Sequence, residues 1–98
     1  MEKADKQINA LILKFLDKMG NEGLTIAFIE GLLYDWHLFP DRHHLMNINI
    51  RYLVNKGYIE PKSNHPIIKE TMKFKITSKG KILLKKEFID ENIDLEIL

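Results

Sequence analysis

Eight lysines between residues 58 and 86 are the side chains of this chain with the clearest chemistry. The lysines of this basic block are Lys62, Lys69, Lys73, Lys75, Lys79, Lys81, Lys85 and Lys86. Only two acidic residues accompany them, so the block has a net charge of +6 (eight minus two), and five acidic residues with no basic one follow between 87 and 98. Lysines bind polyanions by neutralising phosphates and releasing counterions, although many exposed lysines contact only water. The block predicts phosphate contacts, and the acidic tail (90–98) is expected to face the block, a partner or water.

Three histidines in the middle of the chain are candidate metal ligands by residue type. His37, His43 and His44 do not follow the spacing of a known ligand set, and the chain has no cysteine. We therefore expect no metal site, and instead two exposed histidines at a helix N-terminus, where contact with a phosphate is chemically reasonable.

Catalytic chemistry has little support in the sequence. The chain has no Gly-rich phosphate loop, no nucleophile elbow and no carboxylate pair with a partner. Ser63 and Ser78 have the sequence context of turn and cap residues. We therefore expect no enzyme activity, no catalytic residue and no cofactor.

The bulk composition fits one soluble globular domain over residues 1–98. The chain has 98 residues, of which 45% are hydrophobic and 30% charged. No apolar run approaches the roughly 20 residues of a membrane span, and the N-terminus lacks the apolar region of a signal peptide. With no cysteine present, we expect a cytoplasmic protein without a membrane partner.

Three helices are predicted before the basic block, over residues 5–19, 25–36 and 42–56. Apolar residues recur in each at steps of three and four, and Asp5, Thr25 and Asp41 are the candidate N-caps. The second helix has the widest apolar face, so we expect it to be the most buried. Gly31 lies within that face and suggests a close approach of another helix.

The third helix carries two apolar stripes. Met46, Ile50 and Leu53 form the first stripe, which we expect in the core. Leu45, Ile48 and Tyr52 form the second, which either packs as well or is an exposed apolar surface with a function.

A hairpin and a fourth helix are predicted after Gly57, which ends the third helix. Residues 58–60 form a short strand, 62–70 a loop, and the alternation up to residue 76 a second strand with Met72, Phe74 and Ile76 inward. Lys73 and Lys75 then point outward. Thr77 caps a last helix over 78–89, with Ile82 and Ile89 among the residues expected to face inward. The tail is a third strand, a helix extension or a dimer arm.

The two ends of this hairpin resemble the winged helix-turn-helix of small prokaryotic transcription regulators, such as the MarR-like and PadR-like groups. The match at the end of the third helix is carried by Leu53, Gly57, Tyr58 and Ile59, and the match after the hairpin by Phe74, Ile76, Thr77 and Gly80. The resemblance implies an α+β winged helix-turn-helix with three helices, a two-stranded wing and a C-terminal helix, over a core of residues 5–89. It also implies binding to double-stranded DNA by a small prokaryotic, phage or plasmid regulator, with the third helix in the major groove.

Carried over position by position, the resemblance implies two sets of DNA contacts. The residues implied to face the groove are Arg42, His43, His44, Asn47 and Arg51. The residues implied to contact the backbone from the wing are Lys62, Asn64, His65 and Lys69, and Lys73 and Lys75 join them from the strand alternation. Arg and Asn suit bidentate contacts to guanine and adenine.

Protein partners are the alternative to DNA. A homodimer is expected, because one recognition helix covers only a short half-site, and the first helix with residues 82–98 is its predicted interface. A winged helix that binds another protein would instead use Leu45, Ile48 and Tyr52 with the aliphatic residues of the tail. Phe28, Tyr34, Trp36 and Phe39 surround the turn between the second and third helices. We expect them to pack in the core, with a small-ligand pocket or a partner groove as the alternatives.

Overall fold

The computed structural model describes residues 1–63, 67–69 and 71–98, over which it has four helices and one small antiparallel sheet. The elements in chain order are α1 (Lys3–Met19), β1 (Leu24–Thr25), α2 (Ile26–Tyr34), α3 (42–55), β2 (Ile59–Pro61), β3 (Lys73–Ile76) and α4 (Ser78–Leu84), with 3-10 turns at Gly20–Glu22 and Leu95–Ile97. Helix α3 joins Arg42–His44, a π-helical segment Leu45–Ile50, and Arg51–Asn55. The α+β class predicted from the sequence is confirmed.

Side-chain caps begin three of the four helices. Thr25, Asp41 and Thr77 each accept a hydrogen bond from the backbone N–H three residues further on, as predicted for α2, α3 and α4. The cap predicted at Asp5 is wrong. Helix α1 already begins at Lys3, and Asp5 lies in its first turn with a buried side chain.

Helix α1, and not α2, is the most enclosed helix. Its buried side chains include an unbroken run from Ile8 to Leu13, which spans more than one turn and therefore covers every side of the helix. Only surrounding elements can bury such a run, so α1 lies at the centre of the core. Helix α2 buries Ile26, Ile29 and Leu33, and the prediction that it would be the most buried is wrong.

The sheet has the order β1-β3-β2, so β3 is the central strand. Its Phe74 is fully buried and lies opposite Leu24 of β1, while Ile76 lies opposite Ile59 of β2. The hairpin of β2 and β3 was predicted. The prediction that the sheet has two strands is corrected, because the two residues of β1 pair with β3 and make it three-stranded.

The alternation predicted for β3 is confirmed. Met72, Phe74 and Ile76 are buried, whereas Lys73 is exposed and Lys75 is half-exposed on the other face of the sheet. The sheet therefore has an apolar inner face toward α1 and an outer face that carries lysines.

Helix α4 packs closely onto the residue that precedes β2 because residue 80 is a glycine. A Cβ at Gly80 would collide with the Tyr58 carbonyl and with the Ile76 side chain. The helix ends at Leu84, short of the predicted residue 89, and Lys86 follows with a φ of 62°. Ile82 and Ile89, both predicted to face inward, are 41% and 90% exposed, so that part of the prediction is wrong.

The acidic tail folds back onto α1. Ile93 belongs to the core, the Asp94 N–H donates to the Lys6 carbonyl over 3.0 Å, and the Asn9 side-chain amide donates to the Asn92 carbonyl over 3.0 Å. It is neither a strand nor an extension of α4. Because the tail and α1 pack against each other, much of the surface expected to form a dimer is used within one chain.

Candidate nucleic-acid interface

The outward side of α3 carries polar side chains at every fourth position. They are His43, Asn47, Arg51 and Asn55, which we call the polar stripe, and they are exposed except for the half-buried Asn47. The Asn47 side-chain amide lies 3.0 Å from Nε2 of His43, so these two side chains are neighbours on the helix surface. Of the five residues implied to face a groove, His43, Asn47 and Arg51 belong to this stripe.

The π-helical segment aligns the polar stripe along the helix. In a regular α-helix of 3.6 residues per turn, positions four apart drift about 40° around the axis at each step. The Arg51 N–H donates to the Met46 carbonyl, five residues back, and this wider turn takes up part of the drift. The four side chains therefore lie closer to one line along α3 than they would on a regular helix.

Arg42 and His44 point away from the polar stripe. The Arg42 guanidinium forms an ion pair of 2.9 Å with Glu30 on α2, and Nε2 of His44 lies 2.8 Å from the Asp5 carboxylate on α1. Both side chains join α3 to the neighbouring helices. The structure thus gives these two residues contacts within the chain that the resemblance did not imply.

A buried polar cluster connects α3 to α1, and the sequence reading missed it. Asn49 is fully buried, and its amide donates to Oδ1 of Asn9 over 3.1 Å and to Oδ1 of Asp5 over 3.3 Å. Buried polar groups of this kind need partners because an unsatisfied one is costly. Asn49 lies three residues after Met46 and four before Leu53. This spacing places it on the core-facing side of the helix, so the sequence pattern could have predicted a buried asparagine there.

The lysines of the hairpin lie on its solvent side. Lys62 and Lys69 are exposed with Lys73, and the Lys62 N–H donates to the Lys73 carbonyl over 2.8 Å, which extends the pairing of β2 and β3. Nζ of Lys75 lies 3.5 Å from Glu60 on the opposite strand. Two residues implied to contact DNA from the wing, Asn64 and His65, lie outside the described residues.

The positive charge continues from the hairpin to the junction of α3 and α4. Nζ of Lys79 donates to the Lys56 carbonyl over 2.7 Å and lies 5.1 Å from the centre of the Tyr58 ring. Lys75, Lys79 and Lys81 line one shallow depression. These three lysines of the basic block are therefore neighbours in space as well as in sequence.

Asp90 fastens the tail to α3. Its carboxylate accepts hydrogen bonds from the Tyr52 hydroxyl at 2.7 Å and the Tyr58 hydroxyl at 2.7 Å. Burial raises the pKa of both tyrosines, and the bonds to Asp90 raise it further. Burial alone would raise the pKa of Asp90, but the Asn92 N–H and the two hydroxyls outweigh it, so this pKa is lowered.

The second apolar stripe of α3 is mostly covered by the chain itself. Leu45 is fully buried and Tyr52 is tied to Asp90, which leaves Ile48 exposed at 38%. In the tail, Ile93 is buried. Little of the apolar surface predicted for a protein partner is therefore exposed among the described residues.

The aromatic residues around α2 are exposed, and their predicted packing in the core is wrong. Phe28, Tyr34, Trp36 and Phe39 all lie among the exposed large hydrophobic residues. The Tyr34 and Phe39 rings pack on each other at a centroid distance of 5.4 Å, and Lys14 lies 5.6 Å from the Trp36 ring. The only aromatic side chain that we find fully buried among the described residues is Phe74.

The described residues contain no helix long and apolar enough to cross a membrane, and no group of three or more His, Cys, Asp or Glu side chains placed to hold a metal ion. Comparison of the chain with protein-family models, with curated proteins and with solved structures finds no match. The function must therefore be inferred from the two surfaces of α3 and the hairpin.

Proposed function

We propose that this chain binds duplex DNA as a winged helix-turn-helix protein. Helix α3 lies in the major groove, and the β2–β3 hairpin lies along the phosphate backbone. The order α1-β1-α2-α3-β2-β3-α4 supports this fold, because α3 is followed at once by a hairpin whose outer face is open. The observation that carries the proposal is the polar stripe, which stands on the exposed side of α3 directly before the lysine-bearing hairpin.

Base recognition is assigned to two residues of the polar stripe. The exposed Arg51 guanidinium can donate two hydrogen bonds to O6 and N7 of guanine, and the Asn47 amide can pair with N6 and N7 of adenine. Asn47 would exchange its bond with His43 for one with the base. An α-helix fits the major groove, where each base pair presents a distinct pattern of donors and acceptors.

Phosphate contacts are assigned to the hairpin lysines Lys62, Lys69, Lys73 and Lys75. The Lys75 pair with Glu60 spans 3.5 Å at a partly exposed position, and such pairs contribute about 0–1 kcal/mol. A phosphate can therefore displace Glu60 at little cost. In this proposal the protein acts as a small prokaryotic, phage or plasmid transcription regulator, and its phosphate contacts set the orientation of α3 on the duplex.

Salt dependence of binding to a random-sequence duplex tests the proposal. Fluorescence anisotropy of a labelled duplex should show binding that weakens roughly 100-fold between about 50 and 200 mM salt, as expected for about four phosphate contacts. The double change Lys73→Glu with Lys75→Glu should lower affinity by roughly another 100-fold at about 100 mM salt. Both side chains point away from the core, so the circular dichroism spectrum should not change.

Lys3→Glu with Lys18→Glu is the matched control, since it reverses two exposed charges on α1, outside the basic block and α3. It should alter affinity far less than the hairpin change. Absence of binding at the lowest salt, or equal losses in the two double variants, would contradict the proposed interface.

A further inference from the structure

The outward side of α2 is largely apolar, with Asp35 as an exposed charge at its end, and its rings contact no other element among the described residues. Phe28, Tyr34 and Phe39 expose 58%, 50% and 68% of their surface. Ala27 and Gly31 are exposed between them, on the side of α2 opposite the buried Ile29 and Leu33. We call Ala27, Phe28, Gly31, Tyr34 and Phe39 the aromatic face.

Gly31 shows that packing within the chain does not explain this face. The sequence suggested that Gly31 permits a close approach of another helix, yet a Cβ built there would meet no atom of the chain within 4 Å. A glycine inside a helix is unfavourable compared with alanine. The monomer therefore gains nothing from Gly31, and a partner that approaches α2 closely would account for it.

We propose that the aromatic face is a homodimer interface, in which α2 packs against α2 of a second copy across a two-fold axis near Gly31. A two-fold interface must be self-complementary, because the same surface occurs on both sides. The aromatic face meets this condition. It carries protruding rings at Phe28 and Phe39 and a flat strip at Ala27 and Gly31, so the rings of each copy can lie on the strip of the other.

The exposed rings can form the apolar centre of an interface with a second copy. Aromatic side chains have about 150–250 Å² each to bury, so the three exposed rings offer roughly 300 Å² per copy. A stable interface needs about 800 Å² per partner. The rings would supply more than a third of this from each copy as its apolar centre, and the surrounding side chains of α2 would supply a polar rim.

This inference goes beyond DNA binding and does not depend on it. The surfaces first expected to form a dimer, on α1 and the tail, pack against each other within the chain. Glu30, the acidic residue next to Gly31, is paired with Arg42. Asp35, exposed one turn after Gly31, belongs to the polar rim of this interface. The polar stripe lies on α3 and is not used by this interface.

Sedimentation equilibrium from micromolar to submillimolar concentration, without DNA, tests the proposal. The unaltered chain should reach twice the chain mass of 11.6 kDa. Phe39→Asp should remain at the single-chain mass, because a carboxylate would be buried against an apolar surface. Its circular dichroism spectrum should stay unchanged, since Phe39 is 68% exposed in one chain.

Gly31→Ala provides a second variant with two opposite effects. In the Phe39→Asp background, which keeps the chain monomeric, the added methyl should raise the thermal midpoint by a few degrees. In the otherwise unaltered chain, the same methyl should weaken dimerisation about tenfold, because the helices meet at residue 31. A Gly31→Ala variant that is more stable and dimerises equally well would overturn the proposed packing.

Ile89→Asp is the matched control, since it replaces another exposed apolar side chain with the same charged one, away from α2. It should leave the doubled mass unchanged. A single-chain mass for the unaltered protein would contradict the proposal. So would a dimer that is lost with Ile89→Asp and kept with Phe39→Asp. Loss of DNA binding with an intact dimer would count against the proposed function alone.

Discussion

The exposed sides of α2 and α3 are opposite in chemistry, although the two helices follow each other in the chain. The polar stripe of α3 carries histidine, asparagine and arginine, whereas the aromatic face of α2 carries rings and small residues. Polar side chains suit base edges and phosphates, and exposed aromatics suit protein contacts. The difference supports the two proposals, nucleic acid at α3 and a second copy of the chain at α2.

Sequence periodicity did not separate these faces. Both helices have apolar residues at helical spacing, and the aromatic residues of α2 were expected in the core. The core is filled instead by α1, which is buried on all sides between Ile8 and Leu13. With that space taken, α2 contributes only three buried residues and its remaining apolar side chains face solvent.

The largest expected effect is on DNA binding and comes from Arg51→Glu. Reversal of the exposed charge at the centre of the polar stripe should lower affinity for duplex DNA by at least about 100-fold, because it removes a donor to guanine and repels phosphates. The sedimentation mass should not change. If Arg51→Glu dissociated the dimer, or Phe39→Asp abolished DNA binding to isolated half-sites, the division between α2 and α3 would fail.

Two asparagines of α3 sharpen the distinction between its inner and outer sides. Asn49→Ala removes the donor that joins Asn9 and Asp5 and should lower the free energy of unfolding by about 2–3 kcal/mol. Asn55→Ala, at an exposed position of the same helix, should change stability by less than about 0.5 kcal/mol. Urea unfolding of both variants measures the difference, and equal losses would contradict the buried cluster.

Asp90→Asn tests how α3 is fastened to the tail. It weakens the acceptor for two tyrosine hydroxyls and should lower the free energy of unfolding by about 2 kcal/mol at neutral pH. Glu91→Gln, the exposed neighbour with the same change of charge, should have little effect. Equal effects of the two changes would show that net charge, and not the bonds to Asp90, stabilises the tail.

The same cluster predicts a pH dependence on two sides. The pKa of Asp90 is lowered on folding, so its stabilisation is present above the ordinary carboxyl value near 3.8 and is lost as the pH falls further. The pKa of Tyr52 and Tyr58 is raised, so their contribution is complete below 10.0 and is lost as the pH rises through the folded values. Asp90→Asn should reduce the fall of the thermal midpoint at acid pH. It should also lower the pH at which the two tyrosines ionise, measured by near-ultraviolet absorbance.

The smallest predicted effect concerns Ile48, the exposed apolar residue beside the polar stripe. Its side chain can contact a thymine methyl group in the major groove, worth about 0.8 kcal/mol or roughly fourfold in affinity. Replacing thymine with uracil in a duplex selected for tight binding should therefore weaken the unaltered protein by this factor. Ile48→Ala should bind both duplexes equally, and a loss that persists in this variant would assign the methyl contact elsewhere.

The acidic tail calls for a different experiment from simple deletion. Masking of the basic block by the tail would predict tighter DNA binding without residues 91–98, but Ile93 is in the core and Asn92 accepts a bond from Asn9. Deletion would therefore destabilise the fold as well as remove charge. Glu91→Gln with Glu96→Gln removes two exposed charges and keeps the packing, so an increase in affinity for this variant would support masking.

Local chemistry made several features predictable. Thr25, Asp41 and Thr77 cap helices because their side chains bond the N–H three residues on. Gly57 ends α3 because glycine readily adopts a positive φ, here 76°. The alternation through Met72, Phe74 and Ile76 assigned the two faces of β3, because neighbouring residues of a strand point to opposite sides.

Other features depended on residues distant in the chain. The third strand comes from two residues, Leu24 and Thr25, which become a strand only by pairing with β3. Asp5 resembles a cap locally, but its bond to His44 draws it into the interior. Ile89 fits the period of α4, yet the helix ends before it, and the chain then turns so that Asp90 can reach Tyr58.

The α+β class, the starts of α2, α3 and α4, the hairpin and the concentration of positive charge on one segment could be predicted from the sequence, because each depends on neighbours within a few residues. Which apolar faces are buried, and which polar side chains remain exposed, depends on the packing of distant elements. Burial depends on how much space the other elements leave, and the enclosed α1 takes the place that the aromatic residues of α2 were expected to fill. In the same way, Arg42 contacts α2 and His44 contacts α1. Of the five residues implied to face the groove, only His43, Asn47 and Arg51 therefore lie on the outward side of α3.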